Sequence, residues 1–159
     1  MKEKKCEATN PLVEFHRPHK FFGLRTEQEL KRAERYCEFL SLMVIDISSL
    51  SKFVQKKNIT EQRLKELEGN LESIVRKNVR ETDIVSKFEK NRLALLLSET
   101  PKEGANCVCG RLEEEIRAYA SDIFKTPQDW KAHIEIVSFP DKENGRERFL
   151  AFAQRYEIG

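Results

Sequence analysis

Cys6, Cys37, Cys107 and Cys109, with His16 and His19, carry the side chains most often used for metal and redox chemistry. Their spacing argues against both uses. Cys107-Val-Cys109 lacks the two-residue gap of a CxxC pair, and no second Cys/His pair lies nearby to complete a zinc site. These cysteines read as reduced core or surface thiols. In His16-Arg17-Pro18-His19 the proline forbids a regular helix that would put both imidazoles on one face, so they read as linker histidines. Asp46 is a different case, being the one carboxylate in the apolar run Leu42–Ile47. Arg80 and Asp83 form an i,i+3 pair at a helix-to-strand turn, and Arg111 stands in the charged stretch Gly-Arg-Leu-Glu-Glu-Glu. A guanidinium fork can grip phosphate or the two acceptors of guanine's Hoogsteen edge. Its plane can also stack on a base. As a plain surface ion pair Arg80–Asp83 contributes little, and Arg111 can pair with Glu114 or Glu115 at helical spacing.

The elements that must position these groups follow from periodicity. Residues 1–20 show neither helical nor strand period and read as an N-terminal arm or linker; residues 21–159 read as one domain. Thr26-Glu-Gln-Glu29 is a capping-box pattern and predicts a helix start. Leu30, Ala33, Cys37 and Leu40 continue it at helical spacing. Leu42–Ile47 predicts a strand buried on both faces. Leu64, Leu67, Leu71, Ile74, Val75 and Val79 form the stripe of a helix from about Thr60 to Val79. Asp83–Phe88 and Leu93–Leu97 predict a β-hairpin around Glu89-Lys90-Asn91-Arg92. Thr100-Pro101-Lys102-Glu103 predicts another helix start. Ala132–Ser138 alternates as a strand, and a last helix covers about Gly145 to Tyr156. Strands interleaved with helices predict an α/β fold with a central mixed sheet flanked by helices.

A chain of 159 residues can bury a core without disulfide staples. Lys and Arg number 29 against 27 Asp and Glu, a net charge of +2, which excludes a nucleic-acid binder driven by bulk charge. The longest apolar run, Leu93–Leu97, is far short of the ~18 residues of a membrane span. The expected location is the cytoplasm, for this chain alone or as the cytoplasmic part of a larger or membrane-associated protein. The arm Phe15–Phe22 mixes aromatic and basic residues and suits contact with an upstream sensory domain or a protein partner.

The order of landmarks over roughly residues 20–158 resembles the GGDEF family of diguanylate cyclases. Phe22-Gly23-Leu24 stands at the family's Thr-Gly-Leu opening, and Leu42–Ile47 matches the strand ending in its first metal-binding Asp, here Asp46. Arg80-Glu-Thr-Asp83 matches its RxxD motif, Lys87-Phe88 leads into the place of its signature hairpin, and Val137–Asp141 resembles the end of its late strand. The resemblance implies a nucleotide cyclase-like fold.

It also implies a lost activity. The signature Gly-Gly-Asp/Glu-Glu-Phe is here Glu89-Lys90-Asn91-Arg92-Leu93. The family's reaction needs divalent metals to gather phosphate oxygens, and Mg²⁺ takes hard anionic ligands. Asp46 supplies one; the second would come from Asn91, which is neutral, beside the cationic Arg92. Glu89 and Lys90 carry side chains where paired glycines would let phosphates approach. The family's second Asp, its Lys and its two guanine-contacting Asn residues fall on Ser48, Ser51, Val54 and Thr26. No catalytic residue, metal site or cofactor is therefore expected; Asp46, Glu89, Lys90, Asn91 and Arg92 form a vestigial active site. The family's inhibitory site, by contrast, keeps its pattern: Arg80, Asp83 and Arg111 fall where an Arg, an Asp and a helix Arg hold cyclic di-GMP. The resemblance implies a non-catalytic cyclic di-GMP receptor in bacterial signalling. The alternative is a docking or homodimerising module without a nucleotide ligand.

Overall fold

The apolar run that holds Asp46 forms the centre of the sheet. The computed structural model describes residues 18–50, 60–88, 91–124, 132–141 and 145–157. In chain order the elements are α1 (Pro18–Tyr36), β1 (Leu40–Asp46), α2 (Glu61–Lys77), β2 (Ile84–Val85), β3 (Arg92–Ser98), α3 (Lys102–Phe124), β4 (His133–Phe139) and α4 (Gly145–Glu157). The described strands make a four-stranded sheet in the order β2-β3-β1-β4.

The α/β class with a helix-flanked central sheet is as expected, but the pairing is not mixed. Every described neighbour pair is antiparallel. The reason lies in the insertion order. β1 connects to β2 through α2, the connection of parallel neighbours, and β3 lies between them. β3 connects to β4 through α3, and β1 lies between those two. Each crossover gives strands of like direction, and each pair is split by an antiparallel strand.

The period of two sorts β1 onto two faces. Met43 and Ile45 pack with Leu93, Leu95 and Leu97 against Leu67, Leu71 and Val75 of α2 and Ala105, Leu112 and Ile116 of α3. Leu40, Leu42 and Val44 pack with Ala94 and Leu96 against Phe22, Leu30 and Ala33 of α1 and Phe149 and Phe152 of α4. A fully buried side chain of this kind stabilises by about 1.5–3 kcal/mol. Asp46 shares the second face, one repeat beyond Val44, where the core ends.

The helix starts differ from the sequence reading in instructive ways. Thr26 lies inside α1, not at its start. Its side chain is buried and its hydroxyl donates to the Phe22 carbonyl at 2.8 Å. A Thr that back-bonds one turn inside a helix carries the same local signature as a cap. α1 closes at Tyr36: Cys37 adopts φ 56° and the Glu38 N–H reaches the Ala33 carbonyl at 2.9 Å. That is a left-handed helix stop, so Cys37 and Leu40 do not extend the stripe. Thr60 does cap α2, accepting the Arg63 N–H at 3.2 Å. Thr100 turns away from its predicted cap, donating to the Ser98 carbonyl at 2.8 Å. The predicted strand 83–88 shortens to Ile84–Val85, and beyond it the Ser86 hydroxyl accepts the Ala94 N–H at 2.8 Å.

Candidate functional site

Two places on the fold hold the residues that sequence reasoning singled out. The first is the end of the central strand. Asp46 Oδ1 accepts the Ser48 N–H at 2.8 Å and the Ser48 hydroxyl at 2.5 Å. One oxygen of the carboxylate is thus engaged by the turn that leaves β1. Arg92 on β3 and His133 on β4 are the direct partners of Asp46 across the sheet. Residues directly opposite in antiparallel strands share a face, so the row reads Arg92, Asp46, His133. The Ile47 N–H donates to the Asn91 carbonyl at 2.8 Å, which makes that pair hydrogen-bonded. Asp46 and Arg92 are then the adjoining non-hydrogen-bonded pair, the arrangement that brings side chains closest.

Asn91 turns the chain into β3 at φ 65°, a left-handed conformation that Asn tolerates well. Its carbonyl is committed to Ile47. Glu89 and Lys90, the other two residues of the predicted vestigial site, lie outside the described residues.

This row does not fit a pair of divalent metal ions. Among the described residues of the row Asp46 is the only carboxylate, and Arg92 is its partner across the β1–β3 ladder. Unit positive charges about 4 Å apart repel by about 4 kcal/mol at an effective dielectric of 20, and a dication suffers more. Among the described residues no three His, Cys, Asp or Glu side chains gather to hold a metal ion.

The second place is the turn from α2 to β2. Asp83 Oδ2 accepts the Arg80 N–H at 2.8 Å and lies 3.5 Å from Arg80 Nε. Its Oδ1 accepts the Ser98 N–H at 3.0 Å and the Ser98 hydroxyl at 3.4 Å. The Asp83 side chain is only 3% exposed, while that of Arg80 is 55% exposed. Arg80 Nη2 reaches the Ser98 carbonyl and donates to Thr100 Oγ1 at 2.7 Å. Arg111 comes from α3 to the same turn: its Nε and Nη2 donate to the Asn78 side-chain oxygen and carbonyl at 3.4 and 3.3 Å. Asn78 is fixed in turn, its amide donating to the Ile74 carbonyl at 2.8 Å. The segment 78–83 therefore carries Arg80 and receives Arg111, with Asp83 beneath it as an internal acceptor.

The family profile described as "Diguanylate cyclase, GGDEF domain" matches residues 18–156. The chain belongs to the GGDEF family. Comparison with curated protein sequences found no match. Among solved structures, the GGDEF domain of PA1120 (YfiN or TpbB) from Pseudomonas aeruginosa is similar with a TM-score of 0.65 and 19% identity, over 86% of this chain and 84% of that one. The GGDEF domain of DgcB from Caulobacter crescentus, solved in complex with c-di-GMP, gives a TM-score of 0.60 and 17% identity over 86% and 84%. The diguanylate cyclase SiaD, in complex with its activator SiaC from Pseudomonas aeruginosa, gives 0.65 and 17% over 86% of this chain and 54% of that one. At these identities the structural likeness speaks for the fold.

In this GGDEF domain the structure brings Asp46, Asn91 and Arg92 together at one end of the sheet. Arg80, Asp83 and Arg111 meet on the turn between α2 and β2. Four participants escaped the sequence reading. His133 ends the Asp46 row, and Asn78, Ser98 and Thr100 support the arginines. The sequence reading carried the helix on to Val79, whereas α2 ends at Lys77 with Asn78 as its C-cap. The other three depend on strand register.

Proposed function

We propose that this GGDEF domain is a catalytically silent signalling module that binds cyclic di-GMP through Arg80 and Arg111, with Asp83 setting the pose of Arg80. The observation that carries the binding role is the contrast within the motif. Asp83 is nearly buried and immobilises the backbone and guanidinium of Arg80, which itself stays over half exposed. A guanidinium held in place loses less freedom on binding a phosphate or a guanine edge. Arg111 supplies a second fork on the same turn. The DgcB likeness is to a domain bound to that ligand, which favours the same class of ligand here.

The silent active site rests on Asp46, the sole carboxylate of its row, facing Arg92. Without a second anionic ligand, the metals that would collect triphosphate oxygens have no seat. Lys90 and Arg92 leave phosphate contact without metal as a lesser role. We place the domain in the cytoplasm; no described helix is long and apolar enough to cross a membrane.

A second reading, a protein-docking or homodimerising module with no nucleotide, draws on the same network. Asp83 has both oxygens engaged, and Arg111 is tied to Asn78, as a purely architectural turn would require. Isothermal titration separates the two. The receptor reading expects saturable heat with cyclic di-GMP at roughly tens of micromolar or below, lost in Arg80→Ala. Absence of heat in the parent protein ends that reading and leaves the docking module.

A further inference from the structure

We propose that Thr100 is a positioning residue for Arg80: its hydroxyl holds the far end of the guanidinium, so that Arg80 meets a ligand through Nη1. This role rests on the binding reading given above to Arg80.

The protons of the site can be counted. A hydroxyl has one proton to give, a carbonyl only accepts, and a guanidinium only donates. Thr100 Oγ1 lies 2.8 Å from the Ser98 carbonyl, so the Thr100 proton goes there. A lone pair of the same oxygen then receives Arg80 Nη2, at 2.7 Å. Nη2 also reaches the Ser98 carbonyl, so two acceptors take its two protons. Nε carries one proton and faces Asp83 Oδ2 at 3.5 Å. Of the five donors of the fork, the two on Nη1 are left for a ligand.

Thr100 is itself fixed from three sides. Glu99 before it adopts φ 48°, a left-handed turn that brings the Thr100 hydroxyl back to the Ser98 carbonyl. Its methyl sits against α3, where a Cβ at Gly104 would come within 3.1 Å of Thr100 Cγ2. Its carbonyl accepts the hydroxyl of Ser41, a fully buried residue of β1, at 2.7 Å. Ser41 has then spent its proton, so the 2.8 Å contact between Ser41 and Ser138 is donated by Ser138 on β4. The exposed guanidinium of Arg80 therefore rests on a buried group that the central sheet holds. Asp83 steadies its near end, and Ser98 and Thr100 its far end. A fork fixed at both ends loses less freedom on meeting phosphate or a guanine edge.

The test follows Arg80 in the full chain, first without ligand. NMR spectra of isotope-labelled arginine Cζ–Nη groups, assigned through Arg80→Lys, are expected to show separate Nη1 and Nη2 signals for Arg80. That separation marks slowed rotation about the Nε–Cζ bond. Thr100→Val keeps the shape and the methyl but removes the hydroxyl, and is expected to merge the signals. Thr100→Ser keeps the hydroxyl and is expected to keep them apart. In calorimetric titration with cyclic di-GMP, Thr100→Val is expected to bind about tenfold more weakly than the parent, the scale of one hydrogen bond to a charged group. Thr100→Ser is expected to restore the parent affinity. Saturating ligand is expected to shift the Nη1 signal of the parent and leave Nη2 in place. Merged signals in the ligand-free parent, separate signals in Thr100→Val, a ligand shift on Nη2 in place of Nη1, or equal affinity of Thr100→Val and the parent each overturn the role of Thr100. No heat in the parent overturns the binding reading and this role with it; that failure is told apart because the ligand-free spectra still show whether Thr100 holds Arg80.

Discussion

Arg92 lies directly across the β1–β3 ladder from Asp46, on the same face of the sheet. A guanidinium thus occupies the cross-strand position best placed to neutralise the one acidic group left at the head of the central strand.

Reversing the charge of Arg92 exchanges an attractive cross-strand pair for a repulsive one. Arg92→Glu, with Asn91→Asp, is expected to lower stability by about 1 kcal/mol in metal-free buffer. The same variant gains paired carboxylates, so Mn²⁺ is expected to raise its melting midpoint, because an ion bound only by the folded state stabilises it. The parent protein should melt at the same temperature with and without Mn²⁺. Differential scanning calorimetry checks both.

Asp83→Ala leaves the N–H groups of Arg80 and Ser98 without their acceptor, one of them close to the core. The expected loss is about 1–3 kcal/mol in urea unfolding. Asp83→Asn keeps an acceptor of similar shape and is expected to recover part of it. If Asp83 also sets Arg80 for ligand, both variants weaken cyclic di-GMP binding, Ala more than Asn.

Cys37 holds a left-handed conformation at φ 56°, where a side chain crowds the backbone. Cys37→Gly removes that crowding and is expected to stabilise by about 1 kcal/mol, a rise of about 2–4 °C in Tm. A thermal melt checks the sign.

Cys109 differs from its neighbours in reactivity. Burial, with Glu113 adding its negative charge and a hydrogen bond, pushes the thiol from the usual 9.0 up to about 11. The thiolate is the nucleophile, so at pH 8 its fraction falls about a hundredfold below that of an ordinary thiol. Cys37 and Cys107 are exposed and are expected to alkylate first with iodoacetamide. Mass spectrometry of peptides across pH 8 to 11 should show Cys109 labelling only as pH rises through the top of that window.

Much of this was legible in the residues. The stripe Leu67, Leu71 and Val75 placed α2, and the run holding Asp46 placed the central strand. The neutral Asn91 beside the cationic Arg92 could also be read directly from the sequence. Pairing was not legible, because the insertion of β3 between β1 and β2 is a long-range choice that local periodicity does not encode. The position of Arg92 opposite Asp46 and of His133 on the other side follows from that choice. Thr26 misled because a helix-internal hydroxyl and a cap share one local pattern. The RxxD spacing pointed to Arg80 and Asp83 together, yet only burial separates the exposed guanidinium from the carboxylate turned inward.

On the proposed reading the head of β1 does not assemble the metal pair of a cyclase. Incubation of the purified chain with GTP and Mg²⁺ or Mn²⁺, followed by chromatography of the nucleotides, tests it most directly. No cyclic di-GMP or pyrophosphate is expected above the protein-free control; sustained turnover to both products overturns that reading.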